Sequence, residues 1–148
     1  MRKVTLVLAS MALAVLLASG IALAATVKGD ENDNVLTGTE SRDTIIPFDG
    51  DDTVYAKGGN DDVRHSFGDD LIYGGYGKDT LRGGRGTDTI YGGPGRDLID
   101  CAYLETRADD VGDTAYYNPN EDTVVDCKTK NPWDPTDPNS PPPPPTSG

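Results

Sequence analysis

Two cysteines, one histidine and one tryptophan are all that 148 residues hold of those types, and 13 lysines and arginines stand against 25 aspartates and glutamates. So few thiols and imidazoles exclude a zinc site of ordinary spacing, and His65 is poorly placed to serve Cys101 or Cys127 as a catalytic base. A net charge of −12 argues against nucleic acid and anionic membranes as main partners. Hydrophobic residues make up only 35% of the chain, too little for a large globular core. A chain this acidic and this poor in apolar residues stays disordered unless something offsets its conformational entropy and carboxylate repulsion. Hard cations are the obvious candidate, because oxygen is what they bind.

The one long apolar run is at the start. Arg2 and Lys3 precede Val4 to Leu17, and small residues follow at Ala22-Leu23-Ala24-Ala25. That order reads as a secretory signal peptide over residues 1–24, cut after Ala24, with an uncleaved anchor as the alternative. Cleavage leaves 11 basic residues against 25 acidic ones and no membrane-bound segment, so the expected location is extracellular. Outside the cell Cys101 and Cys127, the only two cysteines, are expected to pair. At the other end, residues 131–148 read NPWDPTDPNSPPPPPTSG, an extended and disordered tail whose prolines lack N–H donors.

Residues 29–100 divide into eight nonapeptides without an insertion: GDENDNVLT, GTESRDTII, PFDGDDTVY, AKGGNDDVR, HSFGDDLIY, GGYGKDTLR, GGRGTDTIY and GGPGRDLID. The eighth position is always aliphatic: Leu36, Ile45, Val54, Val63, Ile72, Leu81, Ile90 and Ile99. With valine, leucine and isoleucine at 27 of 148 positions, chance gives such a column about once in a million trials. The sixth position is Asn34 and then Asp43, Asp52, Asp61, Asp70, Asp79, Asp88 and Asp97. The fourth is Asn32, Ser41 and then Gly50, Gly59, Gly68, Gly77, Gly86 and Gly95. One buried aliphatic between outward neighbours suits a very short strand, and the glycine-rich half suits a tight turn with positive φ. Such a unit buries its single aliphatic only by stacking on copies of itself.

GGYGKDTLR, GGRGTDTIY and GGPGRDLID resemble the GGxGxDxUx nonapeptide of the RTX, or haemolysin-type, calcium-binding repeat family. The middle repeats keep the fourth-position glycine and sixth-position aspartate, and the first two keep little beyond the sixth and eighth positions. The resemblance implies an all-β fold, a parallel β-roll with two nonapeptides per coil, so that residues eighteen apart lie one above the other. The ninth position supports that spacing independently, since Thr37, Tyr55, Tyr73 and Tyr91 form one column and Ile46, Arg64, Arg82 and Asp100 the other.

In the family, calcium lies between neighbouring turns on one edge, held by sixth-position carboxylates and glycine-loop carbonyls. The implied cofactor is therefore Ca2+. The implied ligands are Asp43, Asp52, Asp61, Asp70, Asp79, Asp88 and Asp97 with the turns at Gly50, Gly59, Gly68, Gly77, Gly86 and Gly95. The best sites pair Asp52 with Asp70, Asp70 with Asp88, Asp61 with Asp79, and Asp79 with Asp97. Asn34 with Asp52 and Asp43 with Asp61 are expected to bind weakly or not at all, because Asn34 is neutral and Thr39, Ser41 and Pro47-Phe48 replace turn glycines. Asp51, Asp62 and Asp69 are read as solvated neighbours.

Asp30-x-Asn32-x-Asn34 fails as an EF-hand loop because Val35 occupies the glycine place, and Gly77-Lys78 is no phosphate loop. No catalytic set emerges, so an enzyme is not expected. Residues 101–130 are read as a cap with degenerate repeats at Asp113 and Asp122, closed by the disulfide. The function expected is that of a secreted calcium-binding β-roll. A cell-surface adhesin or structural module, or the separated targeting module of a secreted hydrolase, are the alternatives.

Overall fold

The eighth-position aliphatics dictate the architecture. Ile45, Val54, Val63, Ile72, Leu81, Ile90 and Ile99 are 0% exposed and Leu36 is 7% exposed. Each lies within a strand of two to six residues whose flanking side chains turn outward. A computed structural model describes residues 23–102 and 112–132, and the expected leader (apart from Leu23 and Ala24) and residues 133–148 of the expected tail lie outside the described residues. The fold is an all-β parallel solenoid, and among the described residues there is no helix.

The strands that carry the core aliphatics alternate between two parallel sheets, and Gly58–Gly59 pairs with Tyr76–Gly77 in a small third one. One runs through Thr26–Lys28, Thr44–Ile46, Asp62–Val63, Thr80–Arg85, Leu98–Ala102 and Thr123–Val125. The other runs through Val35–Thr37, Thr53–Tyr55, Leu71–Tyr73, Thr89–Tyr91, Thr114–Tyr117 and Thr129–Pro132. Up to Asp100 every register pairs residues eighteen apart, as in Val54↔Ile72↔Ile90 and Ile45↔Val63↔Leu81↔Ile99. The two nonapeptides of one coil thus face each other across a core one aliphatic deep on each side. Each such side chain withdrawn from water contributes about 1.5–3 kcal/mol, which is why no single coil folds by itself.

The expected tyrosine column is a continuous stack. Ring centroids are 5.1 Å apart for Tyr55–Tyr73, 4.9 Å for Tyr73–Tyr91 and 4.4 Å for Tyr91–Tyr116, with planes within 14° of parallel. Tyr116 extends the ladder past the eight nonapeptides. On the opposite sheet, Asp62 bridges Arg64 at 2.9 Å and Arg82 at 2.6 Å, joining two coils at the surface.

The segment expected to close the roll does so as a further coil. Thr89↔Thr114 and Leu98↔Thr123 are paired in parallel, each 25 residues apart. Seven extra residues beyond eighteen therefore precede both strands. Cys101 and Cys127 are joined, with Cα atoms 5.1 Å apart, and both are buried at this end of the core. Closing 26 residues of chain stabilises the fold by roughly 3.5 kcal/mol through the unfolded state. Asn131 and Pro132, which the sequence placed in the tail, belong to the last strand.

Candidate metal centre

The turns between strands carry the chemistry, and their first requirement is a backbone that only glycine adopts easily. Gly50, Gly59, Gly68, Gly77, Gly86 and Gly95 all have positive φ, between 114° and 150°. They also lie directly over the coil beneath: a Cβ on Gly68, Gly86 or Gly77 would sit 2.2, 2.2 or 1.5 Å from the carbonyl oxygen eighteen residues earlier. Two separate constraints therefore hold the fourth position to glycine in these repeats.

The sixth-position aspartates line the inside of these turns. Asp43, Asp52, Asp61, Asp70, Asp79, Asp88 and Asp97 are at most 2% exposed. One carboxylate oxygen of each makes the same kind of bond, with Oδ1 accepting the backbone N–H of the residue eighteen positions earlier. Asn34, Asp43, Asp52, Asp61, Asp70 and Asp79 donate in this way to Asp52, Asp61, Asp70, Asp79, Asp88 and Asp97, at 2.7–3.0 Å. Asp113 and Asp122 accept from Asp88 and Asp97 at 2.8 and 2.9 Å, so the ladder continues across the extra seven residues. All four expected pairs are neighbours, two on each edge, held by these bonds.

The second oxygen separates the repeats into two kinds. Oδ2 of Asp52, Asp61, Asp79, Asp88 and Asp97 is buried and receives no hydrogen bond. In these repeats the second position has positive φ: Phe48 at 80°, Lys57 at 79°, Gly75 at 96°, Gly84 at 130° and Gly93 at 97°. In the repeats of Asp43 and Asp70 that position is Thr39 or Ser66, neither with positive φ, and its hydroxyl donates to Oδ2. A hydroxyl residue thus closes its own turn, whereas the left-handed conformation leaves the carboxylate open. The first-position glycines of the regular repeats keep the approach clear, since a Cβ on Gly74, Gly83 or Gly92 would lie 2.9, 2.3 or 2.8 Å from Oδ2 of Asp79, Asp88 or Asp97.

A buried carboxylate with one unfilled oxygen is costly as an anion. Burial is the leading cause that pushes Asp88 and Asp97 up to about 8, Asp61 to about 7, and Asp70 and Asp79 to about 6. Asp52 is raised for the same reason. Protons or a cation in these turns would offset that cost at neutral pH. Among the described residues no three acidic, histidine or cysteine side chains form a metal-holding cluster. The open Oδ2 atoms and the turn carbonyls are oxygen donors only, a chemistry that would suit calcium.

The four expected sites are therefore not equal. Asp61, Asp79 and Asp97 form an unbroken run of open carboxylates on one edge, while on the other edge Asp70, closed by Ser66, interrupts Asp52 and Asp88. The N-terminal pair is closed at Asp43 by Thr39. Sequence reading missed these closures, although the signal was present in His65-Ser66 standing where Gly-Gly stands later. It also missed a role for Asp51 and Asp69: Asp33, Asp51 and Asp69 accept the backbone N–H groups of Asp51, Asp69 and Thr87 at 2.7–3.0 Å, a second ladder of opposite direction on the exposed rim. Ser66→Gly is expected to open the turn of Asp70 and raise the calcium bound per chain by one ion, read by equilibrium dialysis; an unchanged stoichiometry would refute the closure.

A profile of the RTX calcium-binding nonapeptide repeat matches four times, over residues 28–63 and 66–99. No curated protein and no solved structure matches.

Proposed function

Residues 28–99 of this chain belong to the RTX calcium-binding nonapeptide repeat family, and from that premise we propose that the protein is a secreted calcium-binding β-roll whose folding is coupled to the ions. The observation that carries this reading is the row of buried, unfilled Oδ2 atoms on Asp61, Asp79 and Asp97. These three, with the turns at Gly59, Gly77 and Gly95, would hold calcium on one edge; Asp52 and Asp88, with the turns at Gly50, Gly68 and Gly86, would do so on the other. Calcium supplies the positive charge that lets these carboxylates stay ionised inside the fold. The chain's own part is to fix the oxygens in place, through the backbone bonds to Oδ1 and the glycine turns. Affinity on the order of 10⁻⁴ to 10⁻³ M suits an extracellular module. The leader at residues 1–24, cut after Ala24, supports export, so the chain would stay loose in transit and order outside. Its role is binding or structural rather than catalytic.

Circular dichroism of the exported chain titrated with calcium, with magnesium as control, tests the reading. The β signal is expected to be weak in chelator at pH 7.5 and to rise cooperatively with calcium alone. Asp79→Asn keeps the oxygen that accepts from Asp61 and removes the charge at the centre of the open run, so the midpoint should move at least about tenfold higher. A β signal already complete in chelator overturns the coupling.

A further inference from the structure

The first coil contains a carboxylate whose ladder partner is not another aspartate. Asp43 is 1% exposed, and the residue eighteen positions before it is Ala25. Ala25 N lies 2.7 Å from Asp43 Oδ1. It is pinned from its other side, because its carbonyl accepts the N–H of Thr44 at 2.9 Å and the next residues pair as Thr26↔Thr44 and Val27↔Ile45. Just upstream, Leu23 and Ala24 are exposed and lie outside any strand. The bond at which the leader is expected to be cut is thus the bond whose cleavage leaves a new terminus on Asp43.

We propose that this turn is a receptor for the chain's own processed amino terminus, the α-ammonium of Ala25 pairing with the Asp43 carboxylate. The proposal rests on the export reading for its cut after Ala24. Hydrolysis of the Ala24–Ala25 amide by a leader peptidase consumes one water, leaves a carboxylate on Ala24, and frees an amine on Ala25 that takes up a proton. In the precursor, Ala25 offers Asp43 one neutral N–H; after the cut it offers a full positive charge and additional donors at the same place. The charge that calcium supplies in the open turns is here supplied by the polypeptide. This agrees with the rest of the Asp43 site, where the N–H and hydroxyl of Thr39 fill Oδ2. Removal of the leader thereby completes the end of the roll as well as releasing it.

Two measurements separate the parts of the proposal. Intact mass of the exported chain tests the cut: a first residue other than Ala25 overturns the processing, whatever the pairing does. The pairing is tested on the chain beginning at Ala25, with its amine free or acetylated, in saturating calcium. Acetylation restores the neutral N–H of the precursor and is expected to lower Tm by roughly 5 °C. The difference should vanish in Asp43→Asn. Equal Tm values for the two forms, or a difference that survives the substitution, overturn the pairing. Should the variant fold poorly, the wild-type amine itself decides: acylation at least about tenfold slower in the folded chain than in urea supports the pairing, and equal rates refute it.

Discussion

Gly77→Ala is expected to leave the chain without its calcium-induced β signal even at saturating calcium, and to abolish the cooperative thermal transition. The new Cβ would lie 1.5 Å from the Gly59 carbonyl oxygen, a backbone atom that cannot rotate away. Its φ of 133° lies where side chains other than hydrogen are rarely tolerated. Neither penalty can be relieved locally, because Gly77 pairs with Gly59 on one side and forms a bridge to Gly95 on the other. Pushing the turn outward separates Asp61 from Asp79 and Asp79 from Asp97 together. Combined steric and backbone strain of this kind exceeds about 4 kcal/mol, a large part of what a small domain has. Tyr76→Ala is the control: its neighbouring side chain is 58% exposed, so the transition should persist with only a small shift. A Gly77→Ala protein that still folds cooperatively in calcium would show that the turns are looser than their spacing implies.

The second large effect is on pH. Asp52, Asp61, Asp70, Asp79, Asp88 and Asp97 hold their protons more tightly in the folded chain than in the unfolded one, Asp88 and Asp97 up to about 8 against 3.8. Between those limits the metal-free folded state binds more protons than the unfolded state, so its stability falls as pH rises through the window. In chelator, the chain is expected to gain β structure on acidification from pH 8 to pH 5. With calcium present the dependence reverses, because each ion must displace those protons: the calcium midpoint should fall steeply between pH 5.5 and pH 8.5. Dichroism titrations at several pH values read both effects. A midpoint independent of pH would mean that the bound ion does not contact these carboxylates.

Much of this could be read from the residues in order. A period of nine with an aliphatic eighth position left little freedom about what is inside, and the tyrosines at eighteen-residue spacing disclosed how the coils stack. Positive φ at the fourth-position glycines followed from their density. What the period could not disclose is which lone pair each aspartate uses. Spacing identifies which residues stack, whereas the occupancy of Oδ2 depends on a local competition at the second position between a hydroxyl bond, as at Thr39 and Ser66, and a left-handed backbone. Lys57 and Phe48 show that a residue other than glycine can take the second course, which composition alone would not indicate. The ladder of Asp33, Asp51 and Asp69 was hidden for a similar reason: exposed aspartates beside a turn look solvated until the next coil places an N–H against them. The resumption at Asp113 was visible as a phase shift, but that it continues both sheets rather than merely covering them depends on pairing over 25 residues.

That interruption gives the molecule a property beyond its chemistry. Because the added length precedes both Asp113 and Asp122, the two columns slip by the same amount and meet again in register. The stack therefore enforces alignment through its rungs and not through a residue count. Closing a longer connection costs only about 0.6 kcal/mol for each doubling of its length. A change in the number of residues between Asp97 and Asp113 is accordingly expected to leave the bonds from Asp88 to Asp113 and from Asp97 to Asp122 in place.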